Sequence, residues 1–220
     1  DPYRKIKTAA NKKALKLYPE IKNLVNQSEC PLLTACKLAI AGNSIDHGPS
    51  LAAEVETVFE SAVKTELAAN DFIEFEDNIK NASLILYIGD NCGEIVFDRV
   101  LLEEIEKSTK AEIIFAVRGR PVINDVTESD AVETGVDKIC KIISNGTDIP
   151  GTILKKCSPE FKQYYESADV VISKGQGNYE SLEGEKGNIF FLLKAKCDLA
   201  ARLLGVKVGD AVLKHQNLIK

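Results

Sequence analysis

The sequence predicts an α/β fold: a three-layer sandwich around a mostly parallel sheet, preceded by an N-terminal helical region. Three observations carry this reading. After residue 80, short apolar runs alternate with helical patterns, as βαβ units require. Those runs are apolar nearly throughout, as strands covered on both faces should be. Before residue 80, only helical periodicity is found. The expected organisation is therefore a helical region over 1–80 and an α/β core over 81–220.

Taken in order, residues 3–27 read as a helix. Ile6, Ala9, Ala14, Leu15, Leu17, Ile21 and Leu24 recur at near-helical spacing, with Pro19 as an expected kink or break. Pro31 can start a second helix that ends at Gly42. Residues 51–70 read as helical again. No convincing strand is expected in the first 80 residues. Five strands are then expected, at 83–88, 112–117, 138–143, 169–173 and 188–193. Helical patterns at 94–109, 127–135, 152–166 and 195–204 separate most of them.

Composition narrows the function. A length of 220 residues and 45% hydrophobic content suit one globular unit, and a net charge of −5 gives no basic footprint for nucleic acid. No apolar run approaches the roughly 18 residues of a membrane span. Six cysteines without CxxC or zinc-ribbon spacing read as reduced, mostly buried thiols, and hence a cytoplasmic protein. The chain begins Asp-Pro-Tyr and contains no Met, so its N-terminus is read as incomplete. Oligomeric state is not legible.

In open α/β sheets, ligands bind beyond the carboxyl ends of the strands. Four such ends here are polar and glycine-rich: 89–91, 118–120, 144–148 and 173–178. In "YIGDNCGEIVFD" an apolar run stops at Gly89, Asp90 and Asn91 before a helix begins near Glu94. A carboxylate and an amide carbonyl are hard oxygen donors that suit Mg²⁺ or Mn²⁺, with Asp125 of "GRPVINDVT" as the natural third. A turn and helix cap explain Asp90 and Asn91 as well, and capping alone explains Glu94. In "SKGQGNYE", Lys174 with Gly175, Gln176, Gly177 and Asn178 offers a cation and exposed amides as a phosphate cradle. The competing reading is an ordinary glycine-rich turn. Arg118 and Arg120 can meet anionic groups or pair structurally. Asn145 lies in "SNGTDIPGT", and Asn43 and Asp46 in "AGNSIDHG"; both segments also read as turns. Cys92 lacks a natural His partner for nucleophilic work. An S-adenosylmethionine-dependent methyltransferase and a non-catalytic binder of phosphorylated metabolites remain rival classes, although "GDNCGE" lacks the repeated glycines of the former.

The segments "DPYRKIK", "LAIAGNSIDHG", "GDNCGEIVFD", "AVRGRPVINDVT", "ISNGTDIPGT", "ISKGQGNYE" and "FLLKAKC", in that order, resemble the damage-control phosphatase family, in particular its microbial subfamily. The resemblance covers nearly the whole chain. It implies hydrolysis of phosphate monoesters of small metabolites with a divalent metal (Mn, Mg, Co or Ni). Asp90, Asn91 and Asp125 would be the metal ligands and Lys174 to Asn178 the substrate loop. Asp90, Asp125 and Lys174 are then the candidate catalytic residues. Asn43, Asp46, Glu94, Arg118 and Asn145 are further candidates for the pocket. Two features of relatives are missing: the microbial CxxC and the eukaryotic RTxK.

Overall fold

The structure is a computed structural model that describes residues 1–42 and 62–216. Its sheet has seven strands: β1 (Ala69–Asn70), β2 (Leu84–Ile88), β3 (Glu112–Val117), β4 (Lys141–Ser144), β5 (Val170–Lys174), β6 (Ile189–Lys194) and β7 (Ala211–His215). Their order is β1-β7-β6-β5-β2-β3-β4. From β6 to β4 every neighbour is parallel, while β7 runs antiparallel to β6. The expected mostly parallel α/β sandwich is thus what forms.

Helices α1 (Arg4–Gln27), α2 (Pro31–Ala41), α3 (Phe72–Asn81), α4 (Glu94–Ser108) and α5 (Glu128–Thr134) belong to one side. Helices α6 (Pro159–Ser167), α7 (Gln176–Leu182) and α8 (Asp198–Leu204) lie on the other. Strand alternation divides the core between them. Ile85, Tyr87, Phe115, Ile172 and Phe190 pack toward α2 and α4; Leu86, Ile88, Ile114, Val171 and Phe191 pack toward α6 and α7. Helix α1 forms an outer tier, packing mainly on α2, α4 and α5. Ala14, Leu17, Ile21 and Val25 of α1 join the same apolar cluster as the sheet face below.

Several boundaries differ from the sequence expectation. Helix α1 runs through Pro19 without a break. β1 lies within the first 80 residues, and β7 was not anticipated. The expected helix over 152–166 is a 3-10 turn at Leu154–Lys156 followed by α6. Most of the helix expected over 51–70 lies outside the described residues. The expected loop at 173–178 is instead the end of β5 and the first turn of α7. No helix among the described residues is long and apolar enough to cross a membrane. All six cysteines are unbridged.

Candidate active site

Strand β2 pairs with β3 on one side and β5 on the other, so the chain reverses its direction of travel across the sheet between β2 and β5. Such a switch point opens a crevice at the strand ends. Two loops meet there. Gly175 has φ +80, and a Cβ on it would lie 2.0 Å from Asp90 Oδ2. Only glycine allows both that backbone and that approach.

A second loop is laced to the first. The Val126 N–H donates to the Asp90 carbonyl at 2.9 Å and the Cys92 N–H to the Asn124 carbonyl at 2.9 Å, with Asn91 and Asp125 bridged antiparallel. Asp90, Asn91 and Asp125 are thereby neighbours through backbone pairing alone. Asp125 is then fixed by Arg118, whose Nε donates to Asp125 Oδ2 at 2.6 Å. The same guanidinium donates to Thr152 Oγ1 at 3.2 Å and Asn178 Oδ1 at 3.0 Å. Asn178 in turn donates to the carbonyls of Gly89 (3.1 Å) and Lys174 (2.8 Å). Arg118 and Asn178 together thus tie the loops after β2 and β3 to α7 and to the segment before α6.

The charge balance is one-sided. Asp90, Glu94, Asp98 and Asp125 cluster with two buried cations, Arg118 and Lys174. Burial and the Asp125 carboxylate push Asp90 up to about 6. Burial and Asp90 push Glu94 up to about 8, although Lys174 and the Asn91 amide oppose this. Asn91 Nδ2 donates to Asp90 Oδ2 at 2.9 Å and Glu94 Oε1 at 3.0 Å. Glu94 Oε2 and Asp98 Oδ2 are buried without a hydrogen-bond partner among the described residues. Surplus buried carboxylate oxygen is costly unless a cation compensates it. Two carboxylates and an amide carbonyl fit a hard divalent cation. Among the described residues no three Asp, Glu, His or Cys side chains form a ready-made cage, so this donor set is an open one.

The structure places the predicted residues differently. Asp90, Asn91, Glu94 and Asp125 are brought together at the crevice. Arg118 (4% exposed) and Asn178 (0%) are present, but the hydrogen bonds they make are internal. Lys174 departs from expectation. It ends β5 rather than sitting on a flexible loop, and it is buried. Its Nζ lies 2.6 Å from Asp98 Oδ1 and donates to the Ala39 carbonyl at 2.9 Å. Burial alone would lower its pKa, but Asp98 and Glu94 outweigh this and hold it above the usual lysine value. Asn145 is buried farther along the rim, its Oδ1 accepting from the N–H groups of Gly119 and Thr147. Gln176 and Gly177 lie in the first turn of α7, where Gln176 bonds Glu180 and the Lys196 N–H. Asn43 and Asp46 lie outside the described residues.

Three residues were missed: Asp98, Tyr87 and Thr152. Tyr87 donates its hydroxyl to Asp98 Oδ1 at 2.8 Å beneath the site. Glu94 and Asp98 stand four apart, on one helix face, in the mostly apolar stretch "EIVFDRVLL", which was the available signal. Cys92 is buried, and burial with the nearby Asp130 pushes its thiol well above the usual range, away from nucleophilic use. A cleft of about 260 Å³ opens beside Arg118, lined by Gly119, Arg120, Pro121, Thr127, Glu128, Ser129 and Ser144.

Residues 1–212 match the ARMT1-like damage-control phosphatase domain. A damage-control phosphatase of Pyrococcus horikoshii is 41% identical over 214 residues, covering 96% of this chain and 74% of that protein. A damage-control phosphatase of Archaeoglobus fulgidus is 38% identical over 218 residues, covering 97% and 75%. The crystal structure of a DUF89 family protein from Pyrococcus horikoshii superimposes with a TM-score of 0.91 at 40% identity, covering 98% of this chain and 75% of that one. The chain belongs to the ARMT1-like damage-control phosphatase family.

Proposed function

We propose that this protein is a metal-dependent phosphomonoester hydrolase acting on small phosphorylated metabolites, in a metabolite-repair role. Family membership supports the phosphatase. The observation that carries the metal dependence is the cluster, among the described residues, of Asp90, Glu94, Asp98 and Asp125 around the buried cations Arg118 and Lys174, with one oxygen each of Glu94 and Asp98 left without a hydrogen-bond partner. Asp90, Asn91 and Asp125 would hold a divalent ion such as Mn²⁺, Mg²⁺, Co²⁺ or Ni²⁺. When bound, it supplies neutralisation of phosphoryl charge and activation of water.

The chain's own residues do the rest. Arg118 holds Asp125 in place, so that its carboxylate needs little reorganisation on binding. Asn178 and Thr152 hold Arg118. Lys174, fixed by Asp98, keeps positive charge directly beneath Asp90 and Glu94 and limits their repulsion. Its role in this reading is electrostatic support from below rather than a direct grip on phosphate. The backbone at Gly175 stays close to Asp90, so the turn from β5 into α7 borders the crevice. The site asks only for a phosphate end, so the substrate class is small phosphate esters.

The test is to pair Mn²⁺ titration with turnover of a panel of sugar phosphates and nucleotides. A hydrolase releases inorganic phosphate from some of them, and only with metal. Stabilisation by several esters with no release from any would show a binding protein instead.

A further inference from the structure

Helix α1 reaches the loop after β2 directly, and the Asp125 loop by way of α5, through two buried polar side chains. Asn11, 0% exposed, accepts from the Gly93 N–H at 2.8 Å through Oδ1. Gly93 is the N-cap of α4, two residues beyond Asn91, with φ +85. A Cβ there would sit 3.3 Å from the Ala10 Cβ of α1. The Nδ2 of Asn11 donates to Glu133 of α5 at 3.3 Å. One turn earlier, Lys7 is 2% exposed and its Nζ lies 2.7 Å from Asp130 Oδ2. That oxygen also accepts from the N–H (2.9 Å) and hydroxyl (2.6 Å) of Thr127, two residues beyond Asp125.

These contacts are not what simple covering of the core would select. The remainder of the buried stripe of α1 is apolar: Ala14, Leu17, Ile21 and Val25. Burying an amide and an ammonium is unfavourable unless each is bonded; here Asn11 bonds the N-cap of α4 and Glu133 of α5, and Lys7 bonds Asp130 of α5, which in turn holds Thr127. Between α1 and α5, the segments carrying Asp90 and Asp125 are held from behind at a fixed separation.

We infer that α1 acts as a clasp on the candidate metal site, with Asn11 and Lys7 as positioning residues that set the spacing of Asp90 and Asn91 from Asp125. This rests on the metal-dependent reading above. A cation with near-fixed ligand distances is sensitive to that spacing.

The experiment compares Asn11→Ala and Lys7→Met with Leu17→Ala, which damages α1 in its apolar stripe only. For each full-length variant, Mn²⁺ affinity is read from the electron paramagnetic resonance of free Mn²⁺, and the melting temperature from circular dichroism. The expected result is Mn²⁺ binding weakened roughly 10–100-fold in both polar variants. Leu17→Ala should melt at lower temperature while keeping wild-type affinity. Equal affinity in all four proteins overturns the clasp and leaves the metal site standing. Loss of affinity in Leu17→Ala as large as in Asn11→Ala also overturns it, because α1 would then act only through general stability. Absence of Mn²⁺ binding by the wild type overturns the underlying reading itself.

Discussion

Glu94→Gln is the most informative single change, because it replaces an ionisable group in an overcrowded cluster by a neutral one of nearly the same shape. Glu94 is 5% exposed, its carboxyl is pushed up to about 8, and burial and Asp90 are the leading causes. In the metal-free folded protein it therefore holds its proton up to about pH 8, whereas in the unfolded chain it releases it near 4.5. A folded-state value above the unfolded one gives stability that is present below about pH 4.5 and lost as pH rises toward 8. Each pH unit within that window costs at most about 1.4 kcal/mol, so the penalty near neutrality is on the order of 3 kcal/mol. Glutamine carries no charge, and its Oε1 can still accept from the Asn91 amide. Urea unfolding in EDTA should find Glu94→Gln more stable than wild type by about 2–3 kcal/mol at pH 7.5, the two converging near pH 5. Saturating Mn²⁺ should stabilise wild type and narrow the gap. A wild-type profile that is flat from pH 5 to 8, or a variant destabilised equally at every pH, would refute the claim that these carboxylates oppose one another.

Three further outcomes follow from the geometry. Arg118→Lys keeps the charge but cannot span Asp125, Thr152 and Asn178 at once. Turnover or metal affinity should fall about 10–100-fold with the fold retained, as steady-state kinetics and circular dichroism would show. Gly175→Ala forces a Cβ into Asp90 at a positive φ. Melting should show a loss of about 1–3 kcal/mol, and Mn²⁺ titration weaker binding. Ile123 is half-exposed with φ +44, a backbone that β-branched residues avoid. Ile123→Asn should raise stability by about 1 kcal/mol in thermal unfolding.

The core of the fold was legible because its strands are buried on both faces. The run at 112–117 needs no context to read as a strand, and β3 has those bounds. The sheet edge was not legible. β1 is two residues long, and "AVLKH" of β7 is only partly apolar, so its identity comes from pairing with β6. Helix α7 was hidden by the glycines of "GQGNYE", where tertiary packing of Asn178, Tyr179 and Leu182 overrides weak helix propensity.

At the site, the carboxylates beyond β2 and β3 were readable from the rule about strand ends. The direction of Lys174 was readable too, had strand parity been applied. Lys174 shares a face with Val170 and Ile172, which places it toward α4 and its acid Asp98. The bonds of Arg118 to Thr152 and Asn178 were not readable, because they join residues 34 and 60 positions away. Asn11 was visible only as a polar residue on the buried stripe of α1.

Metal-dependent hydrolysis at Asp90 and Asp125 is decided by phosphate release from an aryl phosphate ester. The protein is stripped with EDTA and then supplied with Mn²⁺, Mg²⁺, Co²⁺ or Ni²⁺, beside Asp90→Ala and Asp125→Ala. Wild type should release phosphate only after metal is restored, and both variants should lose most of that release with the fold intact. Full metal-dependent turnover by either variant, or undiminished turnover by the stripped wild type, would contradict that assignment.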